Sequence, residues 1–218
     1  MPSPLLISPE VITSAVRYLK RKDPTLGKSI RQIGACTLAG SKMRSPYESL
    51  VRAVAHQQLH GKAAETILAR FVNLTPGKRF PSPEEVLALA PEALRGVGFS
   101  LAKAHSIRDI AEKTQSKVVP STRVISKLDD DAIVERLTEV RGIGRWTVEM
   151  LLIFHLGRAD ILPADDFGVR AGFRVVYGLP EMPRPKELLA HGELWRPYRT
   201  VAAWYLWRAA DRAKANSP

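Results

Sequence analysis

Apolar positions along the chain recur with the spacing of helices. After Ser8-Pro9-Glu10, residues Val11, Ile12, Ala15, Val16 and Leu19 fall on one helical face. Ser45-Pro46-Tyr47-Glu48 precedes Leu50, Val51, Val54 and Ala55, and Ser82-Pro83-Glu84-Glu85 precedes Val86, Leu87 and Leu89. Each of these starts pairs a serine cap with proline at the first helical position. At Ser45/Glu48 and Ser82/Glu85 the serine–glutamate spacing predicts a reciprocal capping box. Asp129 to Asp131 predict a further start, with Ile133, Val134 and Leu137 inward. Helical periodicity also covers 61–72, 101–113, 146–156, 167–177 and 198–213. Strand signals are confined to Val118-Val119 and Arg123-Val124-Ile125, short and beside Pro120. The fold predicted is all-α.

Composition adds partners and setting to that picture. The 218 residues are 45% hydrophobic and 25% charged, which suits a globular protein with a sizeable core. There is no apolar run of the roughly 18 residues a membrane span needs, and Met1–Ile7 has no basic n-region of a secretory signal. The one cysteine, Cys36, cannot form an internal disulfide or hold an iron–sulfur cluster, which fits a reducing, intracellular setting. Thirty-three Lys and Arg against 22 Asp and Glu give a net charge of +11, spread along the chain. A field of that sign attracts polyanions, nucleic acid first among them.

Two stretches carry candidate chemistry. In Leu137–Leu152 a helix is predicted to end at Val140, followed by the turn Gly142-Ile143-Gly144 and a second helix from about Arg145. Glycines there permit positive φ and close backbone approach. Ile143 would pin the two helices, and the amides opening the second helix suit a phosphate. An ordinary helix–turn–helix corner also satisfies the pattern. The second stretch is Gly157–Asp166, ending in Pro163-Ala164-Asp165-Asp166 before a helix starting at Phe167. A plain helix cap also accounts for an aspartate in that place.

Together, Val140 through Asp166 resemble the helix-hairpin-helix (HhH-GPD) DNA glycosylase superfamily: a hairpin, a Gly/Pro-containing loop, and an aspartate opening the next helix. Val54–Ala64, with Gln57-Gln58, is similar to the Gln-Gln segment of the 3-methyladenine DNA glycosylase II branch. Gly98–Ala104 resembles that branch's intercalation loop, and Trp195–Arg199 with Trp204 and Trp207 its C-terminal helix. The resemblance is to a short form without the N-terminal β domain of longer members.

The resemblance implies a DNA glycosylase of base excision repair that flips alkylated bases of the 3-methyladenine and 7-methylguanine type out of double-stranded DNA and hydrolyses their N-glycosidic bonds. Asp166 would be the catalytic carboxylate; Asp165 should point elsewhere. Trp207, Trp146 and Met150 would line the base pocket, Met150 standing where relatives often have tyrosine. Leu101 would be the wedge that fills the vacated stack, and His60 would probe the minor groove. Gly142, Gly144, Arg145 and Thr147 would meet DNA phosphate. Helix packing alone also accounts for each tryptophan and for Leu101. Bifunctional members carry a lysine where this chain has Trp146, so the implied enzyme is monofunctional and uses water.

No cofactor is required by this reading. A structural Na+ or K+ held by the main-chain carbonyls of Thr138, Val140 and Ile143 is an implied option, and no zinc-type ligand spacing is present. The expected architecture is two helical lobes with a DNA-binding cleft: residues 41–157, containing the hairpin at 138–152, and residues 1–40 with 158–218. The protein is expected to be monomeric, off the membrane, and cytoplasmic in a compact bacterial-type form associated with the nucleoid. Two rivals stay open: a non-catalytic helix-hairpin-helix protein that binds damaged DNA, and a monofunctional glycosylase for deaminated or mismatched bases.

Overall fold

The computed structural model of the protein describes residues 4–38, 44–77 and 79–215. In chain order its helices are α1 (Pro9–Lys22), α2 (Pro24–Ile33), α3 (Pro46–His56), α4 (Gly61–Val72), α5 (Pro83–Ala88), α6 (Pro91–Gly96), α7 (Leu101–Gln115), α8 (Thr122–Ile125), α9 (Asp130–Thr138), α10 (Arg145–Phe154), α11 (Phe167–Tyr177), α12 (Pro185–Gly192) and α13 (Arg199–Ala215). A short 3-10 turn, Glu193–Trp195, precedes the last. Among the described residues the only β pairing is an isolated bridge between Leu6 and Arg158. The weak strand signal at 123–125 is helical, lying in α8, and 118–119 is irregular. Among the described residues, no helix is long and apolar enough to cross a membrane. The expected lobe boundary at 40/41 and the Met1–Ser3 end lie outside the described residues.

The helix starts follow from local chemistry. Ser8, Ser45, Ser82, Ser100 and Asp129 each accept a first-turn amide through the side chain, which satisfies one of the donors a helix N-terminus leaves over. The Ser82/Glu85 capping box is complete. At Ser45 only half forms. The serine takes the Glu48 amide at 3.1 Å, but the Glu48 carboxylate turns to Arg52 at 2.8 Å and Arg44 at 3.6 Å. An i,i+4 guanidinium outcompetes the main-chain amide for that carboxylate.

The chain forms two compact units, Met43–Leu151 and Met1–Lys42 with Leu152–Pro218; the second division falls inside α10. In the first unit α7 packs on α3 and α5. Its core holds Leu50, Val51, Val54, Leu68, Phe71, Ile107 and Ile110 at 2% exposure or less, with Phe71 edge-on to both Phe80 and Phe99.

In the other unit α11 lies along α13, and α1 pairs with α2. The glycines of α11 explain how closely the helices meet. A Cβ on Gly172 would stand 1.9 Å from the Leu206 carbonyl oxygen, so backbone touches backbone. The loop leading to Asp166 is tied down along its length. Thr200 Oγ1 donates to the Arg158 carbonyl at 2.7 Å and accepts from the Ile161 amide at 2.9 Å. Arg199 Nε reaches the Asp160 carboxylate at 2.8 Å.

A buried carboxylate anchors the far end of α11. Asp23, 4% exposed, caps α2 through the Leu26 amide and also accepts from Trp195 Nε1 (2.9 Å) and the Tyr177 hydroxyl, with His191 Nε2 at 3.1 Å. Burial alone would raise its pKa, but the bonds from His191, Tyr177, the Leu26 amide and Trp195 outweigh it and hold the carboxyl well below the usual range. A group with a depressed folded pKa stabilises the fold above its unfolded value, and that stabilisation fades as pH falls below it. The midpoint in urea should therefore drop as pH is taken from about 5 to 2. Asp23→Asn should lose about 2 kcal/mol near neutrality and show a flatter acid limb, since hydrogen bonds to a charged acceptor are worth about 1.5–3 kcal/mol each. An unchanged acid limb in the variant would assign the pH dependence elsewhere.

Candidate functional site

Asp166 is the residue before α11 and caps it, its Oδ1 accepting the Val169 amide at 2.8 Å. The same oxygen accepts Trp207 Nε1 at 2.8 Å, from the middle of α13. The sequence dictates this meeting. Gly168 and Gly172 are one turn apart on α11, and both face α13. A Cβ on Gly168 would lie 2.8 Å from Trp207 Cδ1 and 3.2 Å from Asp166 Oδ1. Only glycine leaves room for the indole to reach the carboxylate. The indole also stacks on Phe154, ring centroids 5.9 Å apart and 25° between planes. Trp207 is therefore held by its edge as well as its face, which the expectation of a simple stacking surface did not contain. Trp204 belongs to the core at 8% exposure, with the Arg208 guanidinium over its ring. Phe167, next to Asp166, is 62% exposed.

The hairpin is built in the other unit. Helix α9 ends at Thr138, with Glu139 as its cap, rather than at Val140; the Val140 amide bonds the Leu137 carbonyl three residues back at 3.2 Å, which tightens the end of the helix and stops it. Ile143 is buried at 4% exposure, as an apolar pin requires. Gly142 has φ of 78°, and a Cβ there would meet Ser106 Oγ at 2.5 Å. Gly144 has neither constraint: its φ is ordinary and a Cβ would meet nothing within 4 Å. The glycine there leaves clear surface at the mouth of α10, whose first turn presents main-chain amides.

Three residues to which the sequence assigned no such part brace this turn. Gln57 Nε2 donates to the Gly142 carbonyl at 3.0 Å, and Asp109 Oδ2 accepts the Arg141 amide at 2.7 Å. Lys103 Nζ donates to the Ala55 and Gln57 carbonyls at 2.9 and 2.7 Å. It thereby closes the C-terminus of α3, and its burial draws the ammonium pKa down.

Other candidates fall as follows. Trp146, 47% exposed, and Met150 stand one turn apart on α10. Arg145 has a largely exposed side chain, yet its Nε is committed to Glu149 at 3.0 Å. Thr147, in the first turn of α10, is buried at 6% exposure. Leu101 opens α7 behind the Ser100 cap and is 54% exposed, so it is a surface residue and not core. His60 stands exposed at the start of α4 and makes no side-chain capping bond.

These features define a class: an all-helical protein built on a braced helix-hairpin-helix turn and a helix capped by an aspartate. Residues 51–197 match the family model of the HhH-GPD superfamily base excision DNA repair proteins. The chain belongs to that superfamily. It is 41% identical over 213 residues to DNA-3-methyladenine glycosylase 1 of Schizosaccharomyces pombe, covering 96% of this chain and 93% of that protein. Its fold is similar to the Schizosaccharomyces pombe 3-methyladenine DNA glycosylase Mag1 in complex with abasic DNA, with a TM-score of 0.79 and 43% identity over 89% of this chain and 95% of that one. It is also similar to a DNA-3-methyladenine glycosidase from Bacillus halodurans, with a TM-score of 0.83 and 35% identity over 96% and 92% of the two chains.

Proposed function

We propose that this protein is a monofunctional DNA glycosylase of base excision repair that removes alkylated purines from double-stranded DNA. The observation that carries the reading is Asp166 at the head of α11, its Oδ1 fixed by two N–H donors, in a chain 41% identical to a 3-methyladenine glycosylase.

The chemistry follows from the residues. Alkylation at a purine ring nitrogen makes the base a cationic leaving group, so bond cleavage needs little acid catalysis. The C1′–N bond breaks with its electron pair going to the base, which leaves an oxocarbenium-like sugar. The Asp166 carboxylate stabilises that charge and orients a water. The water's oxygen bonds to C1′, and its second proton passes to solvent. Trp146 stands where a lysine would be needed to form a Schiff base, so no strand cleavage accompanies base loss. Before the chemistry, the base has to leave the stack, at a cost of a few kcal/mol; exposed Leu101 is suited to wedge into the vacated space, with His60 as a minor-groove contact. The Trp207 ring supplies an aromatic face for a cationic base.

The turn of α9–α10 takes the phosphate, through the clear surface at Gly144 and the amides of α10's first turn. The donor set at the turn is neutral carbonyls (Thr138, Val140 and Ile143), and no cluster of three or more His, Cys, Asp or Glu able to hold a metal is found among the described residues. Such donors fit a weakly held Na+ or K+ and not a transition metal; bound there, the ion would add positive charge against a phosphate. On this reading the protein works as a monomer, in the reducing cell interior where DNA resides.

Release of free base from methylated duplex, without strand nicking, tests the reading. A wild type that binds abasic duplex but releases no base would identify a binding module; release confined to deaminated or mismatched bases would change the substrate class. One variant isolates the phosphate contact. Gly144→Ala adds a methyl group into open space, so stability should stay within about 0.5 kcal/mol. Duplex affinity should fall about tenfold, roughly 1.4 kcal/mol, because the methyl group occupies the phosphate's approach. Equal affinity in a filter-binding titration at fixed salt would remove Gly144 from the interface.

A further inference from the structure

We infer that Trp207 is the positioning residue for the reacting carboxylate, acting through its indole N–H on Asp166 and not chiefly through its ring face. The inference rests on the reading of Asp166 as that carboxylate.

Four observations converge. The Trp207 Nε1 to Asp166 Oδ1 distance is 2.8 Å. The Val169 amide donates to the same oxygen, also at 2.8 Å. Two donors on one oxygen fix both the χ1 and the χ2 of a short side chain, where a capping bond alone leaves the carboxylate free to swing. The indole in turn cannot wander: Phe154 lies parallel to it, and Gly168 presses on its Cδ1 and Nε1 edge with no room for a methyl group. The Gly168–Gly172 pair thus serves a purpose beyond packing, since it brings an N–H donor from α13 to the cap of α11.

A ring that served only as a stacking face would be replaceable by phenylalanine. A ring that served as a donor would not. Trp207→Phe keeps an aromatic face and deletes the N–H. Single-turnover base release from methylated duplex should fall at least tenfold, while affinity for duplex containing a tetrahydrofuran abasic analogue stays within about twofold. In an Asp166→Asn background the same substitution should cost little more, because residues acting through one group are strongly non-additive. Gly168→Ala, which removes no functional group, should reproduce the rate loss by displacing the indole.

A second readout is independent of activity. The Trp207 indole N–H proton, assigned by its disappearance in Trp207→Phe, should exchange slowly with solvent in the wild type and at least tenfold faster in Asp166→Ala. If Trp207→Phe releases base at the wild-type rate, or costs as much with Asn at 166 as with Asp, the positioning role is overturned. If the indole proton exchanges equally fast in both proteins, the hydrogen bond itself is overturned. A wild type that releases no base but shows the slow, Asp166-dependent proton would sink the glycosylase reading while keeping the indole–carboxylate bond.

Discussion

Asp166→Asn should lower the rate of base release by about a hundred- to a thousand-fold, the range seen when one electrostatic partner of a developing charge is removed, while binding to abasic duplex changes little. The substitution is close to isosteric. Asparagine can still present an oxygen to the Val169 amide and to Trp207 Nε1, so the cap on α11 and the α11–α13 contact survive. What disappears is the negative charge that the proposed mechanism sets beside the sugar. The expected signature is a loss in the chemical step with stability held within about 1 kcal/mol, the usual size of a weakened cap. Base release measured by single turnover, alongside thermal unfolding, separates the two. A variant that cuts as fast as wild type would leave the hairpin reading intact and move the reacting group elsewhere. A variant that loses binding in proportion to rate would mean Asp166 holds the DNA and not the transition state.

Much of this could be read from the chain, and what was missed has a consistent cause. Helix starts are local, and Ser-Pro or Asp pairs before apolar periodicity announced α1, α3, α5 and α9. The same signal stood at Asp23-Pro24, and Arg184-Pro185 with Glu187 opened α12; both helices went unread because their apolar positions are few. The hairpin and Asp166 were legible because a resemblance carried them. The bracing was not legible: Gln57 and Gly142 lie 85 positions apart, Asp109 and Arg141 lie 32 apart, and no periodicity links them. Trp207 could be seen as an aromatic on the last helix, but its edge contact depends on how deeply α11 and α13 interpenetrate. The one readable clue to the buried geometry was the pair Gly168 and Gly172, small residues one turn apart on an otherwise bulky helix.

That clue leads to the largest expected loss of stability. Gly172→Ala places a methyl carbon 1.9 Å from the Leu206 carbonyl oxygen, 2.5 Å from its carbonyl carbon and 2.9 Å from its Cα. The obstacle is backbone, so no rotamer change relieves it, and helix α13 has to move away from α11. Overpacking a core costs about 1–3 kcal/mol and occasionally more; here, with no side-chain adjustment to relieve the clash, the cost should be on the order of 4 kcal/mol, at the upper end of single-substitution effects. The consequence should extend to function, since Leu206 immediately precedes Trp207. Lifting α13 by even part of an ångström lengthens the 2.8 Å bond from the indole to Asp166. Urea unfolding should show the lower midpoint, and the fraction still folded should release base more slowly than wild type at equal folded concentration. Gly168→Ala makes the complementary case. Its clash is with side-chain atoms, at 2.8 Å or more, so its stability loss should be smaller than that of Gly172→Ala, while its loss of rate per folded molecule should be at least as large. If the two variants ranked in the same order for stability and for rate, the two glycines would share a single packing role, and the division between holding the helices together and holding the carboxylate in place would be wrong.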